Sequence, residues 1–143
     1  MKPFKILILL IFITLSSCKE NVENYIPHIS GYWEIESVKN NNELLKSYTV
    51  STNIDFFIVN EDLSGFRKKV APTLDGKYNV TDDNIAFNLV NEDNILKIKY
   101  SKNDISFEET ILNASETKLI ITNDAGLVYT YKPYKPINLE ANE

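Results

Sequence analysis

Reactive side chains are scarce: the 143 residues include one cysteine and one histidine. Cys18 follows Leu15-Ser16-Ser17 at the end of an apolar run, and His28 follows Pro27 in a polar stretch. One imidazole on such a segment cannot make a nucleophile–base pair, and a lone His with a lone Cys cannot build a zinc site. Asp82-Asp83-Asn84 and Asn91-Glu92-Asp93-Asn94 gather acids, but neither has the loop spacing of an EF-hand calcium site. Turn chemistry accounts for both. Lys68 and Glu109 are polar positions on otherwise apolar alternating faces. If both face one interior they would pair, because a buried charge without a partner is very costly. The expectation is a non-enzyme without metal or cofactor, in which Cys18 carries the covalent chemistry.

The elements around Cys18 say how that thiol is used. Lys2 and Lys5 make a positive start, and Ile6 to Leu15 is apolar apart from Thr14. That order is the layout of a secretory signal. About ten apolar residues are too few for a transmembrane helix, which needs roughly 20. Leu15-Ser16-Ser17-Cys18 resembles the lipobox of bacterial lipoproteins. The resemblance implies diacylglycerol on the Cys18 thiol, cleavage between Ser17 and Cys18, and acylation of the new amino group with a chain such as palmitate. Each buried methylene adds about 0.8 kcal/mol, so two or three chains anchor stably where one would not. Cys18-Lys19-Glu20 is similar in part to the surface-export signals of Bacteroidota lipoproteins. Outer-membrane lipid is therefore the expected partner, with the domain periplasmic or surface-exposed.

The whole chain has a formal charge of −5, and loss of residues 1–17 removes Lys2 and Lys5 but no acid. An acidic domain is a poor candidate for nucleic acid. The basic cluster Arg67-Lys68-Lys69 reads as a solvated strand edge. About 115 residues past the tether suffice for one core and not for two.

From Gly31 onward, short alternating segments are separated by Asn, Asp, Ser and Gly, with no helical period. Trp33, Ile35 and Ser37 share a face of the first strand. Ile54 to Val59 and Phe66 to Ala71 follow, assigned inward faces of Phe56 and Ile58, then Phe66, Lys68 and Val70. Asp75-Gly76 is a hairpin signal leading to Tyr78 and Val80, also assigned inward. Later inward sets are Phe87 and Leu89; Leu96, Ile98 and Tyr100; Phe107, Glu109 and Ile111; Leu119 and Ile121; and Leu127, Tyr129 and Tyr131. Nine strand candidates result, ten with the ambiguous Leu44 to Val50. Short connections favour an up-and-down antiparallel order, and closure removes free edges. The expected fold is an all-β, up-and-down antiparallel barrel, with a β-sandwich as the alternative.

Gly31-Tyr32-Trp33, opening that series, resembles the Gly-x-Trp signature of lipocalins and of the lipocalin-like lipoproteins of Bacteroidota. The resemblance implies a small calycin barrel with Trp33 packed across its closed end and a basic residue, here Lys132, lying over the indole. The organisation expected is a signal peptide over 1–17, a lipidated tether over 18–28, the barrel over 29–133 and a tail over 134–143. An eight-stranded interior is either filled by side chains or holds one small ligand. The candidate ligand-binding residues are Lys68, Tyr78, Phe87, Tyr100, Phe107, Glu109, Tyr129 and Tyr131. The functional expectation is an envelope lipoprotein that binds or carries a small hydrophobic ligand. The alternative is a filled barrel that serves as a module for an envelope protein partner.

Overall fold

The computed structural model describes residues 19–81 and 83–136. Cys18, the apolar leader and the chain end after Pro136 lie outside the described residues, as does Asp82. Ten strands follow a 3-10 helix, Val22–His28: β1 Gly31–Asn40, β2 Glu43–Ser47, β3 Ile54–Val59, β4 Ser64–Pro72, β5 Tyr78–Val80, β6 Ile85–Glu92, β7 Ile95–Lys102, β8 Ile105–Ala114, β9 Leu119–Asn123 and β10 Leu127–Pro133. Antiparallel pairing runs β1–β3–β4–β6–β7–β8–β9–β10 and returns to β1, closing an eight-strand barrel. The expected barrel is therefore present and the sandwich is not.

β2 and β5 are the two extra strands. β3 takes the lower half of one edge of β1, at Gly31 to Glu34, and β2 takes the upper half, at Ser37 to Asn40. β5 and β6 divide one edge of β4 in the same way, at Val70 to Pro72 and Ser64 to Arg67. Leu44 to Ser47, ambiguous in the sequence, is thus ladder-paired strand.

Turn chemistry fixes the register. Asn41-Asn42, Asp93-Asn94 and Asn103-Asp104 all have positive φ at both residues. These are two-residue type I′ hairpins, whose twist matches the flanking strands and which Asn and Asp tolerate best after glycine. The β3–β4, β6–β7 and β8–β9 turns lie at one end, the base. The β1–β2, β7–β8 and β9–β10 turns lie at the other, the mouth.

The stretch expected as a tether is folded. In the 3-10 helix Val22 and Tyr25 are buried, and Ile29 just after it is 0% exposed. Asn21 caps the helix by accepting from the Glu23 amide at 3.0 Å. Asn94, in the β6–β7 turn, accepts from the Val22 amide at 3.2 Å and donates to the Glu20 carbonyl at 2.9 Å. The chain entry is therefore clasped to the base. Trp33 is buried beside it, and its indole N–H donates to the Ile29 carbonyl at 2.8 Å. Gly31, at a φ of 144° that favours glycine, turns the backbone into β1. Lys132 does not cover the indole. Because Tyr131 faces inward, Lys132 faces out, with its Nζ 4.0 Å from Glu34.

The core fills the lower half of the barrel. Phe57, Phe87, Leu96, Ile98, Leu119 and Ile121 are each at most 2% exposed. Gly65 is required there: a Cβ on it would sit 2.1 Å from the Ile58 carbonyl oxygen and 2.7 Å from the Phe87 ring.

Candidate functional site

Above this apolar packing lies a polar layer centred on Arg67, a residue the sequence reading assigned to a solvated edge. Inward faces of β3 and β4 carry Asp55, Phe57, Arg67 and Lys69. Phe56, Ile58, Phe66, Lys68 and Val70 face out, the reverse of the expected register. The physical reason is that Ile54–Val59 is apolar on both faces, so alternation alone cannot choose between them. The outer face has its own apolar packing. Tyr32 lies tilted against Phe56 with centroids 4.4 Å apart and stacks on Tyr78 at 4.8 Å, and Tyr78 meets Tyr134 edge-on at 6.2 Å. Tyr78 therefore stands on the outside of the barrel, Val80 beside it is exposed, and Lys68 lies over the outer rings of Phe56 and Phe66. The expected Lys68–Glu109 pair does not form.

Arg67 makes that contact instead. Its Nη1 is 3.1 Å from Glu109 and 3.2 Å from the Tyr100 hydroxyl oxygen. Its Nη2 donates to the Tyr131 hydroxyl oxygen at 3.1 Å, and Nε and Nη2 reach the two Asp55 oxygens at 3.2 Å each. The guanidinium also lies over the Phe57 ring, 5.0 Å from its centre. Tyr100 donates its own proton to Glu109 at 2.8 Å. Lys69 reaches Asp55 at 3.3 Å from the mouth side.

The electrostatics follow from this packing. Burial pulls the Arg67 guanidinium down, but Tyr131, Asp55, Tyr100 and Glu109 outweigh it and hold its pKa well above the ordinary value. Burial pushes the Tyr100 and Tyr131 phenols far up, against the opposing pull of Arg67. The layer is thus a charged guanidinium with neutral phenols, and every polar side-chain atom buried among the described residues has a hydrogen-bond partner.

Between this floor and the mouth is a cavity of about 370 Å³. Glu109, Asp55, Arg67 and Tyr131 form its floor, and Ile35, Tyr129 and Lys69 its walls. Tyr48, Ser51 and Asn53, from the six-residue link between β2 and β3, complete it. That link is tied down where the Tyr48 amide donates to the Glu36 carbonyl and the Ser51 amide to the Glu34 carboxylate, each at 2.9 Å.

Of the sequence-derived candidates, the structure brings Glu109, Tyr129 and Tyr131 to the cavity and Tyr100 to the layer beneath it. Phe87 is packed in the core away from the cavity. Phe107, 44% exposed, stacks on Tyr100 at 4.6 Å near the mouth. Sequence reasoning missed Asp55, Arg67 and Lys69 as well as the β2–β3 link. The available signal was Asp55 itself, an acid inside the apolar run Ile54–Val59 that demands a buried cation. Among the described residues no group of three His, Cys, Asp or Glu is placed to hold a metal ion. No helix among them is long and apolar enough to cross a membrane.

No protein-family model matches this chain, and no curated protein matches its sequence. Among solved structures, it is similar to an uncharacterized protein from Bacteroides eggerthii at 11% identity and a TM-score of 0.46, covering 73% of this chain and 98% of that one. It is also similar to a lipocalin-like protein from Bacteroides uniformis at 11% identity and a TM-score of 0.45, covering 75% and 99% of the two chains.

Proposed function

We propose that this protein is a lipid-anchored envelope protein whose barrel binds a small molecule in the mouth cavity, without catalysing a reaction on it. The observation that carries the reading is the cavity itself. It is about 370 Å³, within the range of small-molecule sites, and stands over a floor of hydrogen-bonded, ion-paired side chains. Ile35 and the rings of Tyr48 and Tyr129 offer apolar surface, while Ser51, Asn53, Asp55 and Glu109 offer polar atoms. This mixture favours an amphipathic ligand over the purely hydrophobic one expected from the sequence. The closed, filled base leaves the mouth as the route in.

The anchoring half of the proposal rests on the Lys2-to-Cys18 pattern and its lipobox likeness. Its test is detergent-phase partitioning: the wild-type protein enters the detergent phase and Cys18→Ser does not. The binding half is tested by native mass spectrometry of protein purified from its own host. A bound small molecule lost in a variant that blocks the cavity, such as Ser51→Trp, supports it; a ligand-free native mass counts against it.

A second reading, a module for an envelope protein partner, is favoured by β2. Leu44 and Leu45 are each 55% exposed there, and one edge of the strand carries no ladder partner among the described residues. Crosslinking from position 45 in intact cells tests it.

A further inference from the structure

The charges under the cavity do not balance until an exposed side chain is counted. A guanidinium has five N–H donors; four hydrogen bonds hold those of Arg67 to Asp55, Glu109, Tyr100 and Tyr131, and its Nη2 is also ion-paired with the second Asp55 oxygen. Arg67 is therefore committed to partners within the layer. It is also a single positive charge shared between two carboxylates, whose side chains are only 6% and 12% exposed. The remaining compensation comes from Lys69, whose side chain is 61% exposed and touches Asp55 at 3.3 Å. Such a contact is weak, because the ammonium is strongly hydrated and its stem is flexible.

We propose that the cavity takes a small organic cation, whose ammonium group seats over Asp55 and Glu109 in the place Lys69 otherwise fills. This rests on the small-molecule reading of the cavity and names the ligand class. Three features agree. Both carboxylates border the hollow. Tyr48 and Tyr129 line it with aromatic rings, which attract a desolvated cation. An anion in the same place would meet two carboxylates and a guanidinium already paired with both of them. Lys69 acts as a resident stand-in, keeping the empty site neutral and leaving for solvent when the ligand enters.

Three probes of one shape and different charge test this by calorimetry on the full chain in detergent micelles: phenethylamine, phenethyl alcohol and phenylacetate. The amine is expected to bind at least about tenfold more tightly than the alcohol, the step that one charge-assisted hydrogen bond supplies, with phenylacetate weakest. Glu109→Gln should remove most of that preference, read as the ratio of amine to alcohol affinity within the variant. Lys69→Met should tighten amine binding several-fold by removing the competing ammonium. That gain is the opposite of what an anion-binding lysine would give. Preferred binding of phenylacetate or the alcohol, or weaker amine binding in Lys69→Met, overturns the cation assignment and leaves the small-molecule reading standing. No binding of any probe at millimolar concentration overturns both.

Discussion

Arg67 is the residue on which the interior turns. It neutralises two buried acids at once, so its loss leaves Asp55 and Glu109 facing each other's charge with Lys69 alone in reach. Arg67→Met should destabilise the barrel by about 3–5 kcal/mol, the cost of stripping one partner from a buried ionic set, measured by urea denaturation. The phenols make a second expectation, in alkali. Tyr100 and Tyr131 are raised chiefly by burial, so the unfolded chain, with phenols near pH 10, releases those protons first. Their contribution to stability is complete below about pH 10 and drains away as pH climbs beyond it. Phenolate absorbance should show at least two of the eight tyrosines silent until the barrel unfolds. Tyr100 and Tyr131 were legible as inward residues because β7 and β10 alternate cleanly, and Glu109 because it shares its face of β8 with Phe107 and Ile111. Asp55 and Arg67 were not, because β3 is apolar on both faces and its outer rings mimic a core.

Hairpins and helix tell the same story at the scale of elements. Each Asn/Asp turn was readable because the type I′ geometry needs residues that accept positive φ. The 3-10 helix was not, since its acidic residues and Pro27 read as linker. Its burial depends on Val22, Tyr25 and Ile29, three apolar residues spaced along one short face. Ile29→Ala should cost about 2–5 kcal/mol by leaving a cavity where no solvent reaches. The same denaturant experiment should find the Trp33→Phe change smaller, about 1–3 kcal/mol, through the unpaired Ile29 carbonyl. Gly65→Ala is expected to be worse than its single methyl suggests. Its nearest neighbour is backbone, the Ile58 carbonyl oxygen, so β3 and β4 would have to separate. A drop in melting temperature, with a molten near-ultraviolet spectrum at the Phe87 layer, is the expected result.

For the whole molecule, closure followed from counting strands and connections. The division into a packed lower half and a hollow upper half did not, because it depends on which face of β3 and β4 turns inward. Turns at the base carry Glu61, Asp62, Asp93 and Glu116, with Lys118 paired to Glu36 at 3.9 Å, and the described body is acidic overall. Cosedimentation with phosphatidylglycerol vesicles should therefore leave the Cys18→Ser protein in the supernatant, since the folded body repels anionic headgroups.

Only Lys19, Glu20 and Asn21 separate Cys18 from the helix sealed against the base. On an acylated chain that interval is a short leash. The body would ride moored against the bilayer, plugged end down, its opening turned away from the lipid. A barrel held in that attitude would exchange any cargo with the aqueous space and would draw nothing directly out of the leaflet beneath it.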